Sequence, residues 1–227
     1  VVSGAVGGTT RIAGGWSAIT AVTVDRYALA EVEAGGLPQV VGAEGGLTPV
    51  GSLAWAHDGR DAPAEPWVGH YAQVGVDGGV GPYRFGRVTA DLRGYGRWTD
   101  WHTYALRARL QQAFGSQTPF WYLPEFGGME VGRGFVTDRY LGRVALTGQA
   151  ETRHRLYKAL HAAAFVDLGW VTAGWRDLDP AAVRPAVGFG PQVRINSQAI
   201  LCWDLGFGLG PDGVESFSVG FHEGPTF

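Results

Sequence analysis

Residues 83–98 read YRFGRVTADLRGYGRW, and their alternation decides the class of fold. Arg87, Thr89, Asp91, Arg93, Tyr95 and Arg97 share one parity. Val88, Ala90, Leu92 and Trp98, with Gly86, Gly94 and Gly96, share the other. Successive side chains of a strand point to opposite faces, so this period of two predicts a strand with one charged face and one apolar or small face. The next segment repeats the pattern, with Thr103, Arg107, Arg109 and Gln111 opposite Tyr104, Leu106, Ala108, Leu110 and Phe114. Further on, Arg143, Thr147, Gln149, Glu151 and Arg153 oppose Val144, Leu146 and Ala150, and Gln192, Arg194 and Asn196 oppose Val187, Phe189, Val193 and Ile195.

These runs exceed the roughly 5–6 residues of an average soluble strand and match the roughly 9–11 that cross a bilayer. A water-soluble sandwich rarely keeps four or five charges per strand on one face. A barrel with a wet lumen and a lipid-facing belt requires that distribution. Composition agrees: the 227 residues are 45% hydrophobic and only 17% charged, with 37 Gly, nine Trp and eight Tyr. A typical soluble domain carries about 25% charge. No run approaches the 18 apolar residues of a membrane helix, so a membrane-crossing chain of this kind must close a sheet on itself.

Turn-rich stretches at residues 35–38, 58–66, 77–82 and 210–213 divide the chain. They predict strands near residues 1–12, 18–33, 37–46, 47–57, 68–79, 83–98, 101–115, 136–153, 156–172, 184–196, 198–209 and 214–223, about twelve in an antiparallel up-and-down transmembrane β-barrel. One domain is expected over residues 1–227, with no internal repeat beyond the hairpin rhythm. Aromatic clusters at Trp67 and Tyr71, Tyr83, Trp98 and Trp101, Trp121 and Tyr122, and Trp170 and Trp175 are expected to form interfacial girdles.

The sequence offers little to catalysis. It has no GxSxG elbow, HExxH, Walker loop or CxxC, and Cys202 stands alone. His154 and His161 have opposite strand parity, so one metal cannot take both from one face. His57, Asp58 and Asp61 share a turn, and Ser218 and His222 share a face near the C-terminus, but neither group has the partners that a metal or a hydrolase requires. We therefore expect no enzyme, no metal and no cofactor. A net charge of −3 gives no footprint for nucleic acid.

The segment from Ser116 to Phe135 is the longest connection without alternation. Within it, GGMEVGRGF (127–135) sets Arg133 between Gly132 and Gly134, a long cation on a tightly folding backbone. In FVDLG (165–169), Asp167 shares parity with Ala163 and Phe165 and faces the lumen, where a carboxylate needs water or a cation. A loop folded into the lumen brings Arg133 within reach of a forked pair with Asp167, and Arg143, Glu151 and Arg153 can join the network.

With these residues in view, the chain resembles the barrel domain of the BamA-type assembly factors, their TamA relatives and the two-partner-secretion transporters, the bacterial surface antigen family. Five motifs carry the resemblance between about residue 37 and residue 227. They are the turn of Asp58, Arg60 and Asp61 followed by Pro66 and Gly69, and the loop of Gly127, Gly128, Arg133, Gly134 and Phe135. Next come the strand with Gly148, Glu151 and Arg153, and the triplet Phe165, Asp167 and Gly169. The fifth is the final pair WDLGFGLG and FSVGF, with Phe217, Val219, Phe221 and a terminal Phe227. The resemblance implies a location in the bacterial outer membrane and an Arg133–Asp167 lock between loop and lumen. It also implies a weak seam at the last strand and a role in inserting or exporting proteins. Outer-membrane lipids, protein substrates and periplasmic partners would be its contacts. Barrels of this family usually have sixteen strands and follow periplasmic POTRA repeats. About twelve strands fit in residues 1–227, as expected of a shortened barrel or of a sixteen-stranded one whose first strands are absent from this chain, and these residues hold no POTRA repeat; Gly132 also stands where a valine usually precedes the arginine. A structural anchor within a larger envelope complex and a solute channel stand as the alternative roles.

Overall fold

The computed structural model describes residues 2–27, 40–177, 179–196 and 199–224. Eleven strands form one continuous antiparallel sheet in chain order. They are β1 (Val2–Arg11), β2 (Trp16–Tyr27), β3 (Gly46–Asp58), β4 (Gly69–Gly79), β5 (Phe85–Thr99), β6 (His102–Phe114), β9 (Val144–Tyr157), β10 (Leu160–Thr172), β11 (Arg184–Arg194), β12 (Ile200–Gly210) and β13 (Gly213–Glu223). Two short strands, β7 (Glu125–Phe126) and β8 (Tyr140–Leu141), pair with each other between β6 and β9. Lengths from 10 residues in β1 to 15 in β5 suffice to cross a bilayer. The expected all-β, up-and-down architecture is present. Among the described residues, β1 pairs only with β2 and β13 only with β12, so the sheet is open at both edges.

The faces follow the parity of the sequence. Leu92, Leu106, Val166, Leu168, Phe189 and Phe217 lie exposed on the outer face. Asp91, Arg107, Gln149, Glu151, Arg153, Asp167, Gln192 and Asp204 are buried on the inner one. A water-soluble domain does the reverse with its charges and large apolar groups. This inside-out arrangement suits a solvent of lipid around the wall.

Three expectations need correction. The segments 37–46 and 47–57 do not make two strands. Residues 37–39 lie outside the described residues, residues 41–44 form a turn, and one strand, β3, starts at Gly46. The strand expected from residue 136 begins at Val144, because Val136 to Arg139 belong to the segment folded against Gly127 and Gly128: the Gly128 amide donates to the Phe135 carbonyl at 3.0 Å and the Arg139 amide to the Val136 carbonyl at 3.2 Å. Not every aromatic cluster is a girdle. Trp98, Trp101 and Trp175 are exposed, but Tyr83 and Tyr122 are buried with Val50 and Phe85. Tyr71 lies under the guanidiniums of Arg60 and Arg93 on the inner face, and Trp67 meets the His161 ring. Aromatics near strand ends serve either face, and clustering alone does not say which.

Candidate functional site: a buried arginine on the inner face

The connection between β6 and β9, residues 115–143, turns back along the inner face of the sheet. Its first part reaches the early strands, where the Tyr122 hydroxyl donates to Asp25 of β2 and Trp121 stacks on Tyr27 with ring centroids 4.3 Å apart. Its second part reaches the late strands. The Gly134 amide donates to Ser218 Oγ at 3.0 Å, and Ser216 Oγ donates to the Gly134 carbonyl at 2.5 Å, both on β13.

Arg133 sits at the centre with 1% of its surface exposed. Its Nε and Nη2 donate to the two carboxylate oxygens of Asp167 at 3.0 and 2.9 Å, a forked pair. The Arg133 backbone amide adds a third bond to Asp167 at 3.0 Å. Nη1 donates to Glu151 at 2.6 Å and lies 3.5 Å from Asp204. The guanidinium also lies over the Phe165 ring, 3.6 Å from its centroid. Glu151 in turn accepts from Arg153 at 2.6 Å and from Gln192 at 3.2 Å. Burial works against the charge of Arg133, but the hydrogen bond to Asp167 and the fields of Glu151 and Asp167 outweigh it and raise its pKa.

The backbone makes room for this insertion. Gly134 has φ of 115°, where a side chain is strained, and a Cβ there would lie 2.7 Å from the Gly208 amide nitrogen. A Cβ on Gly206 would lie 2.6 Å from the Gly134 amide nitrogen. Phe135 and Phe126 fill the space beside these glycines, with Ala186 and Tyr140 around them. The run LGFG (205–208) thus alternates a lipid-facing leucine or phenylalanine with an inner glycine on which the loop lies.

A second grip lies beside the first. Arg107 pairs with Asp91 at 2.6 Å and donates to the Glu130 carbonyl at 3.1 Å, so a wall arginine holds the loop backbone. The sequence reading places Arg107 and Asp91 on the inner face but assigns them no contact with the loop. It also misses Asp204, whose parity with Gly206 and Gly208 is a readable signal, and Glu65. Arg143 stands at the neck of the loop, where its amide donates to the Thr172 carbonyl, outside this network.

The other sequence-derived positions lie apart. Asp58 forks with Arg60 at 2.9 and 2.8 Å, and Asp61 Oδ1 accepts the amides of Ala62, Trp67 and Val68, which stiffens the turn between β3 and β4. Phe217, Val219 and Phe221 are exposed on the outer face of β13, and Phe227 lies outside the described residues. Among the described residues no group of three or more His, Cys, Asp or Glu is placed to hold a metal ion.

Comparison with known proteins agrees with this fold. The Omp85 superfamily domain matches residues 30–210. The structure is similar to BamA from Haemophilus ducreyi lacking POTRA domains 1–3, with a TM-score of 0.71 and 16% identity over 98% of this chain and 53% of that one. It is similar to CdiB from Acinetobacter baumannii, with a TM-score of 0.66 and 19% identity over 97% of this chain and 41% of that one. The chain therefore spans about half the length of these structures or less. No curated protein matches it.

Proposed function

For a chain that belongs to the Omp85 superfamily, we propose one transmembrane domain over residues 1–227 that assists the insertion or export of proteins at the outer membrane. It is an outer-membrane β-barrel protein. The observation that carries the reading is the free edge of β13, which pairs only with β12 among the described residues. An unpaired edge presents a row of backbone donors and acceptors to any incoming strand, and a substrate segment adds there by β-augmentation. The mechanism needs no covalent chemistry. Exposed Val214, Phe217, Val219 and Phe221 keep that edge in lipid, where unpaired backbone groups are costly and a partner strand is correspondingly favoured.

Arg133 and Asp167 act in this reading as a lock that fixes the loop in the lumen and sets the curvature of the wall, with Glu151 and Arg153 supporting them. Bacterial barrels keep short turns on the periplasmic side and longer loops outside. The connections 12–15, 59–68, 100–101 and 158–159 therefore face the periplasm, where periplasmic partners would meet them, and the 115–143 loop enters from outside.

Reconstitution of the protein into lipid vesicles tests the proposal. The folding of an added, urea-denatured outer-membrane protein is expected to run several-fold faster than in empty vesicles. An unchanged folding rate, with ion conductance in the same vesicles, would instead select the solute channel.

A further inference from the structure

The inner face is entered from both ends. Opposite the long loop, the turn of residues 59–68 leaves β3 and joins β4, yet its tip touches β10 and β11. Glu65 is 9% exposed. One of its carboxylate oxygens lies 3.3 Å from Arg194 Nε and the other 3.4 Å from His161 Nδ1. The Trp67 ring lies edge-on to His161 at 6.5 Å, with the Arg155 guanidinium 5.4 Å over it. In the sheet order β3-β4-β5-β6-β9-β10-β11, the first and last of these strands are six steps apart. At about 4.8 Å per step that is roughly 29 Å along the wall. A ten-residue turn makes this contact only by crossing the concavity as a chord.

The turn is built to keep that shape. Asp58 forks with Arg60, Asp61 collects three backbone amides, and Pro63 and Pro66 restrict the chain between them. His161, against which the Trp67 ring of the turn lies, shares the inner face of β10 with Asp167, the anchor of the loop. The same strand therefore holds both inserted connections, one toward each end.

We propose that residues 59–68 form a latch that closes the periplasmic mouth of the lumen, fastened by Glu65 to Arg194 and separate from the Arg133 lock. The lumen then carries two barriers in series. Releasing the outer loop opens only one of them, and passage requires the Glu65 tether to be released as well.

Entry of a small sugar into vesicles containing the full chain tests this by light-scattering swelling. Glu65→Gln and Arg133→Ala are compared singly and together, with Arg194→Gln releasing the same tether from the wall side. The double variant is expected to admit sugar several-fold faster than the two single variants summed, and Arg194→Gln should replace Glu65→Gln without loss of the effect. Entry in Arg133→Ala equal to that in the double variant would overturn the latch, and so would a double variant that stays at the wild-type rate. Should a variant fail to fold, as judged by heat-modifiable gel mobility, maleimide labelling of Ala64→Cys in a Cys202→Ser background gives a second reading. Labelling is expected to speed up several-fold on loss of Arg194, and an unchanged rate would count against the tether. Substrate folding in the same vesicles reports on the insertion activity separately, so failure of either proposal leaves the other legible.

Discussion

Arg133 meets Asp167 three times over, through Nε, through Nη2 and through its own backbone amide, with both side chains shut away from solvent. The pair is asymmetric in its surroundings. Asp167 answers to Arg133, whereas Arg133 also neutralises Glu151 and Asp204. Removing the cation therefore does more harm than removing one anion. Breaking a buried pair costs about 3–5 kcal/mol. Arg133→Ala is expected at or above that range and Asp167→Asn below it, measured by urea unfolding in detergent. Equal losses would show that Glu151 and Asp204 do not depend on Arg133.

Gly206 tests the bed on which the loop lies. A Cβ there meets the backbone of Gly134 and Arg133, at 2.6 Å from the Gly134 nitrogen and 2.8 Å from the Arg133 carbonyl carbon. Backbone on both sides leaves no flexible end to move aside. Gly206→Ala is expected to cost about 1–3 kcal/mol, as overpacking does, and to expose the loop to trypsin at Arg133 and Arg139. Gly148→Ala, where a Cβ would have nothing within 4 Å, is the control and should leave protection unchanged.

The neck of the loop is sensitive to pH. Burial, and then the neighbouring Asp138 carboxyl, push the pKa of Glu125 up from 4.5 to about 7. An acid whose pKa rises on folding binds more protons folded than unfolded between those two values. Its contribution to stability is therefore full below about pH 4.5 and is lost as pH rises toward 7. Loop protection against trypsin should be greater at pH 5 than at pH 8, and Glu125→Gln should flatten the difference. A wild-type protein protected equally at both pH values would refute this account.

Tyr122 fastens the first half of the loop to β2 through Asp25, whose residue is 9% exposed. Tyr122→Phe keeps the ring packed on Phe85 and leaves that carboxylate without its hydroxyl donor, at a cost of about 1–3 kcal/mol. Because the Arg133 contacts lie on the other strands, loop cleavage after Arg133 should stay slow in this variant. Fast cleavage there would mean that the two halves of the loop release together.

Much of this was legible in the sequence because strand parity is a strict code. Arg107, Glu151, Arg153 and Asp167 fall on the inner face as the alternation of their strands requires, and a lumenal carboxylate needs a cation from somewhere. Parity says nothing about contacts across the lumen. Glu65 lies in a turn with no period, and its meeting with Arg194 depends on sheet curvature, which no local pattern encodes. The sequence sets Asp58, Arg60 and Asp61 in a turn but neither pairs Asp58 with Arg60 nor gives the turn its direction, since an Asp–Arg fork stiffens a turn whether it points inward or out. The two strands expected between residues 37 and 57 reduce to one because a run of small and apolar residues around Gly45 and Gly46 mimics alternation across a turn.

The inner side of β12 has almost no side chains of its own around Gly206 and Gly208. Gly134 and Phe135 stand where wall residues would otherwise be, and Gly134 is held by Ser218, 84 positions later in the chain. The strand is thus finished by borrowed material: over Gly206 and Gly208 the surface facing the lumen is made by the loop and not by the wall.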